Sequence, residues 1–507
     1  MSGTVVDALT FWARTKPGAT AIDFDGDVVS YAELVRWAEG VGQDLLERGV
    51  RPGDRVSFVG VNSLEWCAAA LGALAVGAIA APFNNRMVAR ELVDLVQDCQ
   101  PRIVFCDEAL LPRLGDVHEQ DPSFDIAVFE RDVRPLRNSR PAPVHRPVLD
   151  TNTPTAIVFT SGSTGRPKGV IFTHDSIAGV AYEWSLLEPV SARDLRPLLV
   201  LPLFSAAGII WGIARTVLNG GTLYLQPRFD AVRALKVLIE DKPNTLTGPP
   251  ILFEQIADVD GFDDADLSHL STAHVGGARV PVELLTRWAP RGVALRQLYG
   301  QTEIGGSASV TPLGESADGA ETCGRGGIFT KVRVVDADGV DCPPHVTGEI
   351  LLRGPGMMPG YWRNEEATRT TLIGGWLHTG DLGKLDERGF LTFVDRLKDM
   401  IISGGLNISP AEIEAVIATM PGVEEVAVIS VPDKKFGETA AALINASRPL
   451  VESDVVQYCN QRLADYKVPR YVVLCEEPLP RLASGKVAKP LLRSTYAGIP
   501  DSYARVR

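Results

Sequence analysis

Apolar positions along this chain recur with two periods. Short β-branched runs such as "DRVSFVG", "PRIVFCD" and "PLLVLPLF" read as buried strands. They alternate with stretches that read as helices, "EALLPRL" and "IIWGIARTVL" among them. The alternation continues through the first three hundred or so residues and predicts α/β layers. One uncharged run, residues 67–83, is mostly Ala and Gly and ends at Pro82 and Phe83. It is shorter than the roughly 20 residues of a membrane helix, so a buried helix followed by a strand is expected. Residues 134–150 are rich in Pro and Arg and read as a linker.

After about residue 325 the texture changes to short β segments with Gly turns, "KVRVVDADGV" and "TGEILLRGPG". A last unit opens near "DRLKDMIISGG". In it "SPAEIEAVIATM" predicts a helix with Ser409 as N-cap, Pro410 at N1 and Glu412 closing a capping box. The runs "VEEVAVISVPD" and "YVVLCEE" supply its strands. The chain is therefore expected to divide into a large domain, 1–395, and a small one, 396–507.

Composition narrows the function classes. Lys+Arg number 50 against 63 Asp+Glu, a net charge of −13, which disfavours nucleic acid or anionic lipid as a partner. The cysteines, at 67, 99, 106, 323, 342, 459 and 475, form no C-x-x-C pair and no zinc spacing. They predict reduced thiols and a cytoplasmic location. Asp7 and the lack of a basic leader argue against a secretory signal, and no integral membrane segment is expected.

The loop "TSGSTGRPKG", residues 160–169, carries candidate chemistry. It fails the Walker A pattern, since Lys168 is followed by Gly169 and a strand rather than a helix follows. Its glycines still allow backbone N–H groups to converge on an anion, with Ser161, Ser163 and Thr164 adding hydroxyls and Lys168 a charge. A solvent-exposed hairpin loop is the alternative.

Four more segments accompany the loop: "LYGQTE", "GWLHTGDLG", "DRLKDMIISGGLNISPAEIE" and "PRLASGKVAK". In this order and spacing, from "VSYAEL" to Lys489, the chain resembles the ATP-dependent adenylating superfamily. That group holds acyl-CoA synthetases, peptide-synthetase adenylation domains and firefly luciferase, and the likeness is greatest to acyl- and aryl-CoA ligases. The resemblance implies a large multi-layer α/β domain with a small β-barrel-like part, and a small mobile α+β C-terminal domain. It implies ATP, Mg²⁺ and coenzyme A, and a small carboxylic acid as substrate. The acid would be activated to acyl-AMP with release of pyrophosphate and then passed to CoA. The alternative is an enzyme that hands acyl-AMP to a carrier protein or partner enzyme. Monomer and homodimer both stay open.

The same resemblance assigns residues. Thr160, Ser161, Gly162, Ser163, Thr164, Gly165 and Lys168 would wrap the β- and γ-phosphates. Glu303 would hold Mg²⁺, with Thr160 or Thr164 nearby. Tyr299 would pack on the adenine, with Gly277 and Ala278 as its other wall and Gly300, Gln301 and Thr302 beside it. Asp381 would take the ribose hydroxyls, with Arg396 facing it, and His378 is expected to be structural. Lys486 would bridge the attacking carboxylate and the α-phosphate, and Lys398 would be the hinge. Gly404, Gly405, Phe436, Tyr466 and Arg86 would meet CoA. Two positions depart from the pattern: Val468, where those ligases carry arginine, and Ser205, where most carry histidine.

The acyl pocket is expected at Phe204, Ser205, Gly208, Gly276, Gly277 and Gly305, with Ala206, Ala207, Gly306 and Ser307 beside them. Nearly all are small, which predicts a wide pocket for a bulky apolar acid, polycyclic or aromatic. The alternatives are that Trp184 or Trp211 folds in, or that the glycines serve backbone geometry.

Overall fold

The computed structural model describes residues 3–141, 147, 149–160, 167–278, 280–315, 322–403, 406–481 and 486–506. They form two compact units: residues up to 332 together with 352–378, and residues 333–351 together with 379 onward.

The first unit is built on two sheets. One has six strands in the order Asp125–Val128, Ile103–Cys106, Arg55–Val59, Ile79–Pro82, Pro154–Thr160, Lys168–Thr173. All its neighbours run parallel except the last pair, an antiparallel hairpin with Thr160 opposite Lys168. The uncharged run resolves as expected into the helix Leu64–Ala75, almost wholly buried, and the central strand Ile79–Pro82. Alanine and glycine dominate there because the helix packs closely on Tyr31–Glu47, whose N-cap Ser30 forms a full capping box with Glu33.

The second sheet has nine strands. Six are parallel, in the order Thr20–Phe24, Leu223–Leu225, Pro197–Leu199, Thr245–Gly248, Thr272–Gly276, Leu295–Tyr299, and antiparallel strands finish both edges. Leu246, Ala273, Val275 and Leu295 bury one face under helices carrying Phe253, Leu238 and Trp288. In parallel α/β sheets ligands gather at the carboxyl ends of the strands. Here those ends carry the "HVGGA" and "LYGQTE" segments.

The short β segments expected after residue 325 are present as Lys331–Val335, Gly348–Arg353, Trp376–Leu385 and Leu391–Arg396. In the second unit the long hairpin Val423–Asp433 and Gly437–Ala446 pairs with Tyr471–Cys475 in parallel and with Ile401–Ser403. Helices Pro410–Ala418 and Glu452–Asn460 cover one face through Ile413, Ile417 and Val455, and Lys489–Thr495 covers the other through Leu492.

Ser409 caps its helix as predicted, accepting from Glu412 N at 3.2 Å. The other arm of the box goes elsewhere. The Glu412 carboxylate binds Lys467 Nζ at 2.6 Å, and buried Asp395 accepts from Ser409 Oγ and from Ala411 N at 3.0 Å. The nearby lysine and aspartate outcompete the local pattern. The result is a mixed α/β protein with a large N-terminal part and a small C-terminal one. The chain passes between the units at 332/333, 351/352 and 378/379; the expected hinge at Lys398 concerns a motion and is taken up below.

Candidate active site

In the first unit the loop hairpin closes on Thr160, whose Oγ1 donates to Lys168 O at 3.4 Å. Ser161, Gly162, Ser163, Thr164 and Gly165 lie outside the described residues. From Lys168 the contacts lead to a residue the sequence reading missed. Lys168 Nζ stands 5.1 Å from the centre of the Tyr361 ring, and Tyr361 Oη donates to Glu303 Oε1 at 2.9 Å. Burial and the Glu303 charge push the Tyr361 hydroxyl well above its ordinary pKa, so it stays a donor. The segment around Tyr361 is tied at both ends. Trp362 N donates to Gly169 O at 2.7 Å, and Met358 N to Glu303 O at 2.9 Å. The "GYW" run, after the apolar Met357 and Met358, gave no signal that sets this phenol apart from an ordinary core tyrosine.

Glu303 sits on the single helical turn Thr302–Ile304, directly after the strand Leu295–Tyr299. Gly305, at φ +81°, and Gly306, at φ +96°, close that turn in the left-handed region glycine favours. Gly300 and Gln301 form its first corner, with Gly306 N donating to Gln301 O at 2.8 Å. Tyr299 is 8% exposed and Ala308 N holds its carbonyl at 2.8 Å, while Gly277 and Ala278 are exposed at the end of the neighbouring strand. Among the described residues no group of three His, Cys, Asp or Glu could cage a metal ion. One carboxylate held by a phenol, near a lysine, fits a Mg²⁺ whose other ligands are phosphate oxygens and water.

The acyl side corrects the argument from small residues. A Cβ on Gly208 would stand 2.3 Å from Leu203 Cα, and one on Gly276 would stand 2.3 Å from Leu298 O. On Gly306 it would meet Trp211 Nε1 at 2.9 Å, and on Gly300 it would meet Gly306 O at 2.5 Å. These glycines are filled against, so they mark close backbone approach rather than room for substrate. Gly305 is looser, with its nearest neighbours at 3.4 Å. Ser205 caps its own turn: Oγ donates to Pro202 O at 2.7 Å and accepts from Gly208 N at 3.3 Å. Phe204, beside it, is partly exposed.

Behind this wall lies a buried polar layer absent from the sequence reading. The Glu188 carboxylate accepts from Arg296 Nη2 at 2.6 Å and from Thr272 Oγ1 at 3.1 Å. His274 Nε2 stands 3.5 Å away. Burial alone would raise the Glu188 carboxyl, but His274 and Arg296 outweigh it and hold it at about 2. Burial pushes His274 down to about 4 and Arg215 down to about 10. His274 is therefore neutral near pH 7.

In the second unit Asp381 and Arg396 face each other across adjacent antiparallel strands, Oδ1 to Nε at 3.4 Å. Asp381 is 3% exposed and its backbone N–H donates to Thr379 Oγ1 at 3.0 Å. His378, the last residue of the first unit, is half-buried near the head of the same strand. Lys398 follows on the turn Leu397–Asp399, its pKa lowered by burial and then by Arg396. Asp399 beside it pairs with Arg493 at 2.7 Å, on the helix that starts three residues after Lys486. Lys486 itself is half-buried next to the bridge between Arg481 and Val487.

Of the residues expected to meet CoA, Gly404 and Gly405 lie outside the described residues. Arg86 is exposed on the first unit, its N–H donating to Asn84 Oδ1 at 3.0 Å. Phe436 and Tyr466 are accessible on the second unit. Val468 is 2% exposed in the core, where an arginine could not be solvated. Arg470, two residues on, holds its guanidinium 4.1 Å from the Phe436 ring. No helix among the described residues is long and apolar enough to cross a membrane, and the seven cysteines are free.

Comparison with known proteins bears on these arrangements. Residues 9–362 match the model of the AMP-binding enzyme family, and residues 412–486 match that of the AMP-binding enzyme C-terminal domain. The chain is 35% identical to a long-chain-fatty-acid–CoA ligase of Mycobacterium tuberculosis, covering 92% of this chain and 93% of that protein. It is also 35% identical to a feruloyl-CoA synthase of Amycolatopsis, covering 96% and 97%. The structure of O-succinylbenzoate coenzyme A synthetase from Bacillus subtilis with ATP and magnesium ion superposes with a TM-score of 0.87. It shares 26% identity and covers 96% of this chain and 99% of that one.

Proposed function

Because the chain belongs to the AMP-binding enzyme family, we propose that it condenses a carboxylic acid with ATP to acyl-AMP and pyrophosphate, then exchanges AMP for coenzyme A. The observation that carries this reading is the Lys168–Tyr361–Glu303 arrangement at the carboxyl end of a parallel strand. The first step brings two anions together, the substrate carboxylate and the α-phosphate. It needs charge neutralisation and positioning rather than a protein nucleophile. Lys168 meets phosphate from the loop side. Glu303, its carboxylate aimed by Tyr361, holds Mg²⁺, which supplies positive charge to the phosphate oxygens when bound. Asp381 offers two acceptor oxygens to the ribose diol, with Arg396 as its neighbour.

Lys486 gives its ammonium to the carboxylate and α-phosphate as they react. Lys398 is the hinge on which residues from 396 onward reorient for the second step, when Phe436 and Tyr466 receive the CoA adenine. The acid is bulky and apolar, aromatic or polycyclic. Support for an aromatic acid comes from the feruloyl-CoA and O-succinylbenzoate relatives, while the fatty-acid relative supports only an apolar one, and the glycines no longer argue for width. Cytoplasmic location, a homodimer or monomer, and direct CoA transfer without a carrier protein belong to the same proposal.

Separating the two half-reactions tests it. Lys486→Ala should slow pyrophosphate release on the order of 10³-fold or more. The same variant should still convert supplied acyl-adenylate and CoA to thioester. Lys398→Pro fixes φ near roughly −65° and removes a donor, so it should spare pyrophosphate release and depress thioester formation. Equal damage to both half-reactions in either variant would sink the assignment of that residue. AMP release that ignores CoA would favour delivery to a carrier protein.

A further inference from the structure

The indole of Trp211 occupies a place that no motif assigns. It projects from the helical segment Ala207–Ala214, just after the "LPLFS" turn. Its Nε1 donates to Gly305 O at 2.8 Å, two residues beyond Glu303. The same nitrogen lies 2.9 Å from where a Gly306 Cβ would be. Trp184 meets the ring edge-on, with centroids 5.0 Å apart and planes at 89°. The Arg215 guanidinium lies 5.5 Å from the ring. Arg215 is 3% exposed, and its Nε and Nη2 have no hydrogen-bond partner among the described residues. The buried carboxylate of this layer, Glu188, is already taken by Arg296 and Thr272. Despite these neighbours the Trp211 ring stays partly exposed.

We propose that Trp211 is the floor of the acyl pocket, fixing how far the acid reaches and screening the Arg215 guanidinium behind it. The inference rests on the ligase reading. With the reacting carboxylate near Glu303, a tail running past Gly305 and Gly306 meets the indole next. The hydrogen bond to Gly305 and the edge contact with Trp184 hold the ring in one orientation, so it acts as a fixed stop. Arg215 keeps two nitrogens whose N–H groups no described residue accepts, and the ring separates them from an apolar acid. With the ring removed, the pocket becomes deeper and its end becomes cationic.

The test is a kcat/KM profile by pyrophosphate release for straight-chain acids from acetate to palmitate and for dicarboxylates of matching length. Trp211→Ala should move the optimum to longer acids, by about fourfold for each further methylene buried. It should also raise dicarboxylates over monocarboxylates of equal length. Trp211→Phe keeps a ring without the Gly305 bond and should keep the wild-type profile with a modest loss. If the alanine variant does not fold, Trp211→Leu carries the same expectation with a smaller shift. An unshifted length profile in a folded variant overturns the floor, and no gain for dicarboxylates overturns the screening of Arg215. The panel also holds benzoate and a series of ω-phenylalkanoates, on which the same shift is read; a wild-type protein that releases pyrophosphate with none of all these acids defeats the ligase reading itself, and this assignment falls with it.

Discussion

The two sides of the first unit's site are built by different means. On the phosphate side, a short contact chain from Lys168 through Tyr361 to Glu303 aims polar groups, and Glu303 sits on a turn whose glycines set the backbone. On the acyl side, glycines and aromatic rings are packed against each other, and behind them lies a polar layer that never reaches solvent. The loop and the glycine turn after Glu303 leave a local trace in sequence, although the contact that joins Tyr361 to Glu303 spans 58 positions. Packing is decided by side chains distant in sequence: Trp211 meets Gly305, and Arg296 meets Glu188 across 108 positions. Damage to the first side should change rate, whereas damage to the second should change selectivity or stability.

The largest effect should come from the phosphate side. Glu303→Gln keeps the shape and removes the charge proposed to hold Mg²⁺. We expect pyrophosphate release to fall on the order of 10³-fold, about 4 kcal/mol. The relative preference among acids should stay as in the wild type. A changed preference with an unimpaired rate would erase the distinction between the two sides.

Tyr361→Phe sharpens the same comparison with a smaller loss. The phenol donates to an ionised carboxylate, a bond of about 1.5–3 kcal/mol, so the rate should fall roughly tenfold to a hundredfold. A positioning role for Tyr361 appears as an increased Mg²⁺ requirement, with part of the rate recovered at high Mg²⁺. A loss that no Mg²⁺ concentration relieves would make Tyr361 a packing residue only.

These contrasts explain what could be read from the chain beforehand. The α/β layers, the buried run at 67–83 and the Ser409 cap all follow from local period or local chemistry. The wide pocket did not. A glycine in sequence reads the same whether a ligand or Leu298 O fills the space beside it. Tyr361 and Arg470 were missed because their importance lies in partners 58 residues away and across a strand, at Glu303 and Phe436. The Glu412 carboxylate was misplaced for the same reason, since Lys467 is 55 residues distant.

The effect with the least bearing on rate concerns the buried layer, and it should appear in stability. His274 is neutral in the fold, its pKa pushed to about 4 by burial against an ordinary 6.5. The unfolded chain takes up that proton as the pH falls below 6.5, while the folded one does not. Stability from neutral His274 is therefore complete above pH 6.5 and is lost progressively down to about pH 4. Glu188 works in the next window. Its carboxyl is held at about 2 against an ordinary 4.5, so its contribution is complete above pH 4.5 and is lost towards pH 2. The first loss has a slope of at most about 1.4 kcal/mol per pH unit, one proton's worth. His274→Asn removes the titrating group and keeps a polar side chain of similar reach. Urea midpoints of the two proteins, measured from pH 7 down to 4, should therefore converge as the pH falls, and the variant's curve should be the flatter. Parallel curves across that range would mean that His274 does not titrate in the buried layer. The acid sensitivity of the acyl side would then have to be sought in its carboxylates.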